Sequence, residues 1–143
     1  SEIQRVRDRL VPKILEAASG EDPSVVVYGG SYPTKDGTCV RDYIHVLDIA
    51  EAHLAAAGRL ISGALAGTEI NLGSGVGASV LDVIEAAERI TGRKFRRLVR
   101  DGRKGDAAFA VASSEWAKKS IGWEPKRSLD DGIGDVWDSM RRP

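Results

Sequence analysis

The chain has 143 residues, 42% hydrophobic and 29% charged, the size and balance of one globular domain able to bury a real core. Its 21 Lys and Arg match its 21 Asp and Glu, which argues against nucleic acid or an anionic membrane as partner but allows a local arginine cluster to grip a phosphate. The single cysteine, Cys39, excludes an internal disulfide and fits a reducing cytoplasm, and no apolar run approaches the ~18 residues of a membrane span.

The segment Ser1 to Arg9 is charged, carries no apolar core of a signal peptide and lacks a methionine. It runs straight into a helical pattern, which reads as a chain cut from something longer. Ile3, Val6, Leu10, Val11, Ile14, Leu15 and Ala18 recur at helical spacing, with the ordered helix starting near Pro12 and Gly20 as its C-cap. Val25 to Tyr28 forms a short β-rich run ended by Gly29 and Gly30. Cys39-Val40 and Tyr43 to Val46 read as a second extended segment around Arg41-Asp42. Asp48 with Glu51 three residues later is a capping-box signature, predicting a helix from there through Ile61. Glu69 to Leu72 is a predicted strand, Ser79 caps an amphipathic helix ending at Gly92, and Phe95 to Val99 is another strand. A helix from Ser114 to Ser120 stops at Gly122, and Ser128 with Asp131 opens a last one. Helices alternate with short strands, so the class is α/β. There is no repeat, low-complexity tract or linker, and residues 1–143 are taken as one domain.

Gly73, Gly75 and Ala78 satisfy the G-x-G-x-x-[G/A] dinucleotide fingerprint. About seventy residues precede it, where a first strand is expected, and Asp101 falls late for a ribose-binding acid. A tight turn into the following helix is the preferred reading. His45 and His53 have no Cys-His or His-x-x-x-His spacing, and both read as structural, with no metal.

The stretch Tyr32-Pro33-Thr34-Lys35-Asp36-Gly37-Thr38-Cys39-Val40-Arg41-Asp42-Tyr43-Ile44-His45-Val46 closely resembles a signature of UDP-glucose 4-epimerases. The likeness continues through Asp48 to His53 and resumes at Asn71 to Gly75, Ser79-Val80, Gly105-Asp106 and Gly122 to Pro125, with Leu10-Val11-Pro12 resembling the family's Leu-x-Pro. These blocks span nearly the whole chain in the family's order. The Gly-Asp and Asn-Leu-Gly blocks are shared by the wider extended short-chain dehydrogenase superfamily.

The resemblance implies the C-terminal, nucleotide-sugar-binding portion of such an enzyme, a small mixed sheet with flanking helices. The N-terminal Rossmann half, which holds NAD and a Tyr-x-x-x-Lys pair, is absent. In the family the sugar C4 hydride passes to NAD, the keto-sugar rotates, and the hydride returns to the other face. The tyrosine exchanges a proton with the sugar hydroxyl and the lysine lowers its pKa. Here the residues four after Tyr28, Tyr32 and Tyr43 are Tyr32, Asp36 and Leu47, so the isolated chain is expected to be inactive.

By motif position, Val26 and Tyr28 match a strand that meets the uracil, Arg41 and Arg103 match diphosphate-binding arginines, Asp106 matches a ribose-binding acid, and Leu10 lines the nucleotide site. Without the motif, Arg41 would be read as pairing with Asp42, and Arg103 as part of a solvated basic face with Lys104, Arg96, Arg97 and Arg100. Two positions depart from the pattern. Arg9 stands where relatives often have Asn or His, and Ala110 where some carry a tyrosine closing the sugar pocket. A small Ala110 implies room for an N-acetyl group, so the expected ligands are UDP-hexoses and UDP-N-acetylhexosamines. The other expected partner is the missing Rossmann half, and relatives' habits allow a homo-oligomer. Loss of that half should expose Glu69 to Leu72 and the helix after Ser79 and promote self-association. The alternatives are a nucleotide-sugar dehydratase or decarboxylase, or a stand-alone UDP-sugar-binding or interaction module without catalysis.

Overall fold

The structure, a computed structural model, describes residues 9–65 and 69–142. The helix pattern at Ile3 and Val6 lies outside them. Helix α1 spans Leu10–Ala18 and is followed by strand β1, Ser24–Tyr28. Pro12 sits in the first turn of α1, where its missing N–H costs nothing. The C-cap is Ser19 in right-handed geometry, so Gly20 does not serve as the expected cap. Strand β2 is only Val40–Arg41, and helix α2 runs Val46–Ile61. Strand β3 is Ala78–Ser79, helix α3 is Val80–Thr91, strand β4 is Arg96–Arg100 and strand β5 is Phe109–Ala110. Helices α4, Glu115–Ile121, and α5, Leu129–Arg141, complete the order.

The class is α/β with two small sheets and flanking helices. In one sheet β1 and β4 pair in parallel, with Tyr28 opposite Arg100. In the other, β2 is central, antiparallel to β3 and parallel to β5, with Arg41 opposite both Ala78 and Ala110. Strand β1 alternates strictly. Val25 and Val27 point into the larger apolar cluster, with Ile14, Leu15, Val83, Ile84, Phe95 and Ile133, while Val26 and Tyr28 face outward. A smaller cluster joins α2 to α4 through Ala52, Ala117, Ile121 and Trp123.

The capping signatures at the heads of α3 and α5 hold. The Ser79 hydroxyl accepts from the N–H of Asp82 and the Ser128 hydroxyl from that of Asp131, with each carboxylate returning to the N-cap N–H. Gly92 and Gly122 end α3 and α4 in left-handed geometry. Further expectations fail. Asp48 does not cap α2: His45 does, its Nδ1 accepting from the N–H of Leu47, because the Asp48 carboxylate is fully buried and committed to Lys126 and Arg127. The residues Tyr43 to His45 lie in no strand, and Glu69 to Leu72 forms no ladder among the described residues. Helix α3 is not left open either. Val83, Ile84, Ala86 and Ala87 are at most 1% exposed under α1 and α5, and the exposed aliphatics gather on α2 instead.

Candidate functional site: a cleft at the end of the parallel strand pair

The outward face of β1 forms one wall of a cleft of about 410 Å³. Val26 and Tyr28 point into it because their odd-even partners Val25 and Val27 are held in the core. Leu10 enters from the first turn of α1, Arg41 from β2, and Arg103 and Asp106 from the loop between β4 and β5. Thus Leu10, Val26, Tyr28, Arg41, Arg103 and Asp106, drawn from four separate segments, meet in one place. Ala110 does not line the cleft; it sits on β5 in register with Arg41.

The geometry fixes the two arginines differently. The Arg103 guanidinium lies over the Tyr28 ring, 4.1 Å from its centroid, a cation–π stack that leaves the edge donors of the fork free to turn toward an anion. The Arg41 Nη1 donates to the carbonyls of Ala107 at 2.7 Å and Val40 at 2.9 Å, while Nη2 stands 3.8 Å from Asp106 Oδ1. Arg41 does not pair with Asp42. That carboxylate accepts instead from the N–H and hydroxyl of Ser74 and the N–H of Ala112, tying the end of β2 to the glycine-rich segment and to the irregular stretch after β5. The loop leading into β2 is locked by Asp36, whose two oxygens take Thr38 and the Ser79 hydroxyl. Burial opposes ionisation of Asp36, but the Ser79 and Thr38 donors outweigh it and hold its carboxyl below the usual range.

The cleft also contains residues that motif reading passed over. Lys13 lines it, three residues after Leu10 and therefore on the same face of α1, and helical spacing alone points to it. Cys39 and Tyr43 lie two residues either side of Arg41 and also reach the cleft, and Val80 borders it at the head of α3.

The Tyr32 phenol is pushed up by its hydrogen bond with Cys39 and then by burial, and burial pushes up Tyr43 as well, so both stay protonated at neutral pH. Two glycines of the glycine-rich segment, Gly73 and Gly77, are held in close packing. A Cβ on Gly73 would stand 2.1 Å from the Ala112 carbonyl oxygen, and one on Gly77 2.4 Å from Val40 Cγ1. Those two faces are closed by protein, while Gly75, at φ 69°, meets nothing within 4 Å. His45, the N-cap of α2, also meets Asp135 at 3.1 Å, and the exposed His53 bonds the carbonyl of Ile49.

Comparison with known proteins converges on one family. Residues 2–73 match the model of the NAD dependent epimerase/dehydratase family. The chain is 44% identical over 131 residues to a UDP-glucose 4-epimerase of Drosophila melanogaster, covering 91% of this chain and 37% of that protein. To the Bacillus subtilis UDP-glucose 4-epimerase it is 40% identical, covering 92% and 39%. Among solved structures it superposes on the UDP-glucose-4-epimerase of Stenotrophomonas maltophila with bound NAD and formylated UDP-arabinopyranose. There the TM-score is 0.87 at 41% identity, covering 94% of this chain and 40% of that one. The Bifidobacterium longum enzyme in complex with NAD+ and UDP gives 0.79 at 36% identity, covering 93% and 40%. The chain therefore spans about two-fifths of the length of the relatives it matches. With its α/β fold and its motif blocks in order, it belongs to the NAD dependent epimerase/dehydratase family.

Proposed function

We propose that this chain is the nucleotide-sugar-binding portion of an NAD-dependent UDP-hexose 4-epimerase. In this reading NAD and the catalytic Tyr-Lys pair lie on polypeptide outside the 143 residues, and the chain alone binds UDP without turnover. The carrying observation is the convergence of Tyr28, Arg103, Arg41 and Asp106 on one cleft. The outward face of β1 offers Val26 and the Tyr28 ring to a planar base. Asp106 offers an acceptor to ribose hydroxyls, and the arginines offer charged donors to a diphosphate. Crystal structures of similar proteins holding UDP or a UDP-sugar support the same ligand class. The sugar would extend past Arg41 along β5, toward Ala110, whose small side chain leaves room for an N-acetyl group.

Isothermal titration of the chain with UDP and with uridine tests this. UDP is expected to bind more tightly than uridine. Arg41→Ala and Arg103→Ala should each weaken UDP by about 10- to 100-fold, the worth of a charge-assisted bond of about 1.5–3 kcal/mol, with little change for uridine. Equal affinity for the two ligands, or arginine variants that bind UDP as the parent does, would overturn the assignment.

A further inference from the structure

Strand β4 carries three arginines, and two of them face acids. Arg96 meets Asp22 at 2.8 Å, and Arg97 stands 3.8 Å from Glu88 and 3.9 Å from Glu85. Just before the strand, Lys94 pairs with Glu88 at 2.8 Å. Arg100, the last residue of β4, is exposed and has no ion pair or side-chain hydrogen bond among the described residues. Its charge holds nothing in the fold together and is turned to solvent.

The strand register decides where that charge stands. Arg100 lies opposite Tyr28 in the parallel pair, and residues directly opposite in a ladder leave the same face of the sheet. Tyr28 faces the cleft, so Arg100 shares that face, one strand over at a spacing of about 4.8 Å. The backbone is pinned there, the Arg100 carbonyl accepting from the N–H of Gly29 at 2.8 Å. The chain then turns back closely. A Cβ at Gly102 would stand 2.8 Å from the Tyr32 hydroxyl oxygen, and the next residue, Arg103, lies over the Tyr28 ring. Arg100 itself does not line the cleft.

The cleft already holds an excess of positive charge. Lys13, Arg41 and Arg103 line it against one carboxylate, Asp106, on a chain whose charges sum to zero. A concave site of one sign draws in ligands of the other and raises their rate of capture. Arg100 extends this excess outward from the rim, and a charge acts over roughly 8 Å at physiological salt.

We propose that Arg100 is a steering residue of the cleft, speeding the capture of a nucleoside diphosphate without touching it once bound. The proposal rests on the reading of the cleft as a UDP site and adds a residue whose effect falls on association. Arg41 and Arg103, which line the cleft, should instead act mainly on release.

Line-shape analysis of an NMR titration of the chain with UDP gives both rates. At about 20 mM salt, association is expected to slow about threefold in Arg100→Ala and about tenfold in Arg100→Glu, with dissociation unchanged. At about 0.5 M salt both effects should shrink to under about 1.5-fold. Arg100→Lys keeps the charge and should associate as the parent does. Arg96→Ala removes an equal charge from the same face, roughly 13 Å back along the strand, and should stay within about 1.5-fold of the parent. The thermal midpoint of Arg100→Ala should be that of the parent. Parent-like association in Arg100→Ala at low salt, a loss carried by dissociation, an equal slowing in Arg96→Ala, or slow association in Arg100→Lys would each overturn the steering role and leave the UDP reading in place. A parent chain that binds no UDP would overturn both.

Discussion

Removing the Asp48 carboxylate should uncouple the head of α2 from the segment that leads into α5. The side chain is 0% exposed. Its Oδ2 accepts from the backbone N–H groups of Lys126 at 3.1 Å and Arg127 at 3.0 Å, and its Oδ1 accepts from the Arg127 guanidinium. In Asp48→Ala the two N–H groups lose their acceptor in a partly buried setting, at about 1–3 kcal/mol each. The Arg127 contribution is discounted, since that side chain is 30% exposed and keeps Glu51 at 3.1 Å. The expected loss is about 3 kcal/mol, measured by urea unfolding at neutral pH. Asp48→Asn keeps an oxygen for the two N–H groups and should lose about 1–2 kcal/mol. The pH dependence carries a second signature. Burial would raise this carboxyl, but the N–H groups of Arg127 and Lys126 and the Arg127 side chain outweigh it and hold the group below its ordinary 3.8. A depressed carboxyl contributes stability that is complete above its unfolded-state value and is lost as pH falls through the folded one. The acid limb below about pH 4 should thus be shallower in Asp48→Asn than in the parent. A loss under about 1 kcal/mol for Asp48→Ala, with an unchanged acid limb, would refute the tethering role.

Ser79→Ala should cost about 2 kcal/mol in the same assay, combining a lost N-cap with a lost donor to Asp36, and should loosen hydrogen exchange in the Tyr32 to Cys39 loop. Gly73→Ala forces a Cβ against the Ala112 backbone, where nothing flexible can yield, and is expected to destabilise by about 1–3 kcal/mol. A neutral outcome there would mean the turn is not packed as described. Ala110→Tyr should weaken UDP-N-acetylglucosamine in titration at least tenfold while leaving UDP unchanged; equal effects on both would remove Ala110 from the sugar site. An immunoblot of source cells should show this region in a polypeptide far larger than 143 residues. A band at the mass of the chain itself would favour a binding module without catalysis.

What was legible in the sequence divides by range. The caps at Ser79 and Ser128 and the left-handed Gly92 and Gly122 were readable because each is closed within a few residues of its own helix. Asp48 and Glu51 carry the same spacing and misled, since their carboxylates are claimed by Lys126 and Arg127, some 75 residues away. The two-residue strands β3 and β5 had no pattern to show; they exist because Val40 and Arg41 pair with both. The cleft is similar. Periodicity predicts that Val26 and Tyr28 share a face and that Lys13 follows Leu10, but it cannot place them beside Arg103, which arrives with the loop after β4. Only the motif order joined those segments in advance. Helix α2 shows the complementary case. Its apolar residues recur on every side and a helix core claims one side only, yet the expected exposure was placed on Glu69 to Leu72 and on α3 rather than here. The structure shows which half is uncommitted, since the buried Asp48 and Ala52 fix the inner face and leave Leu54 on the outer one.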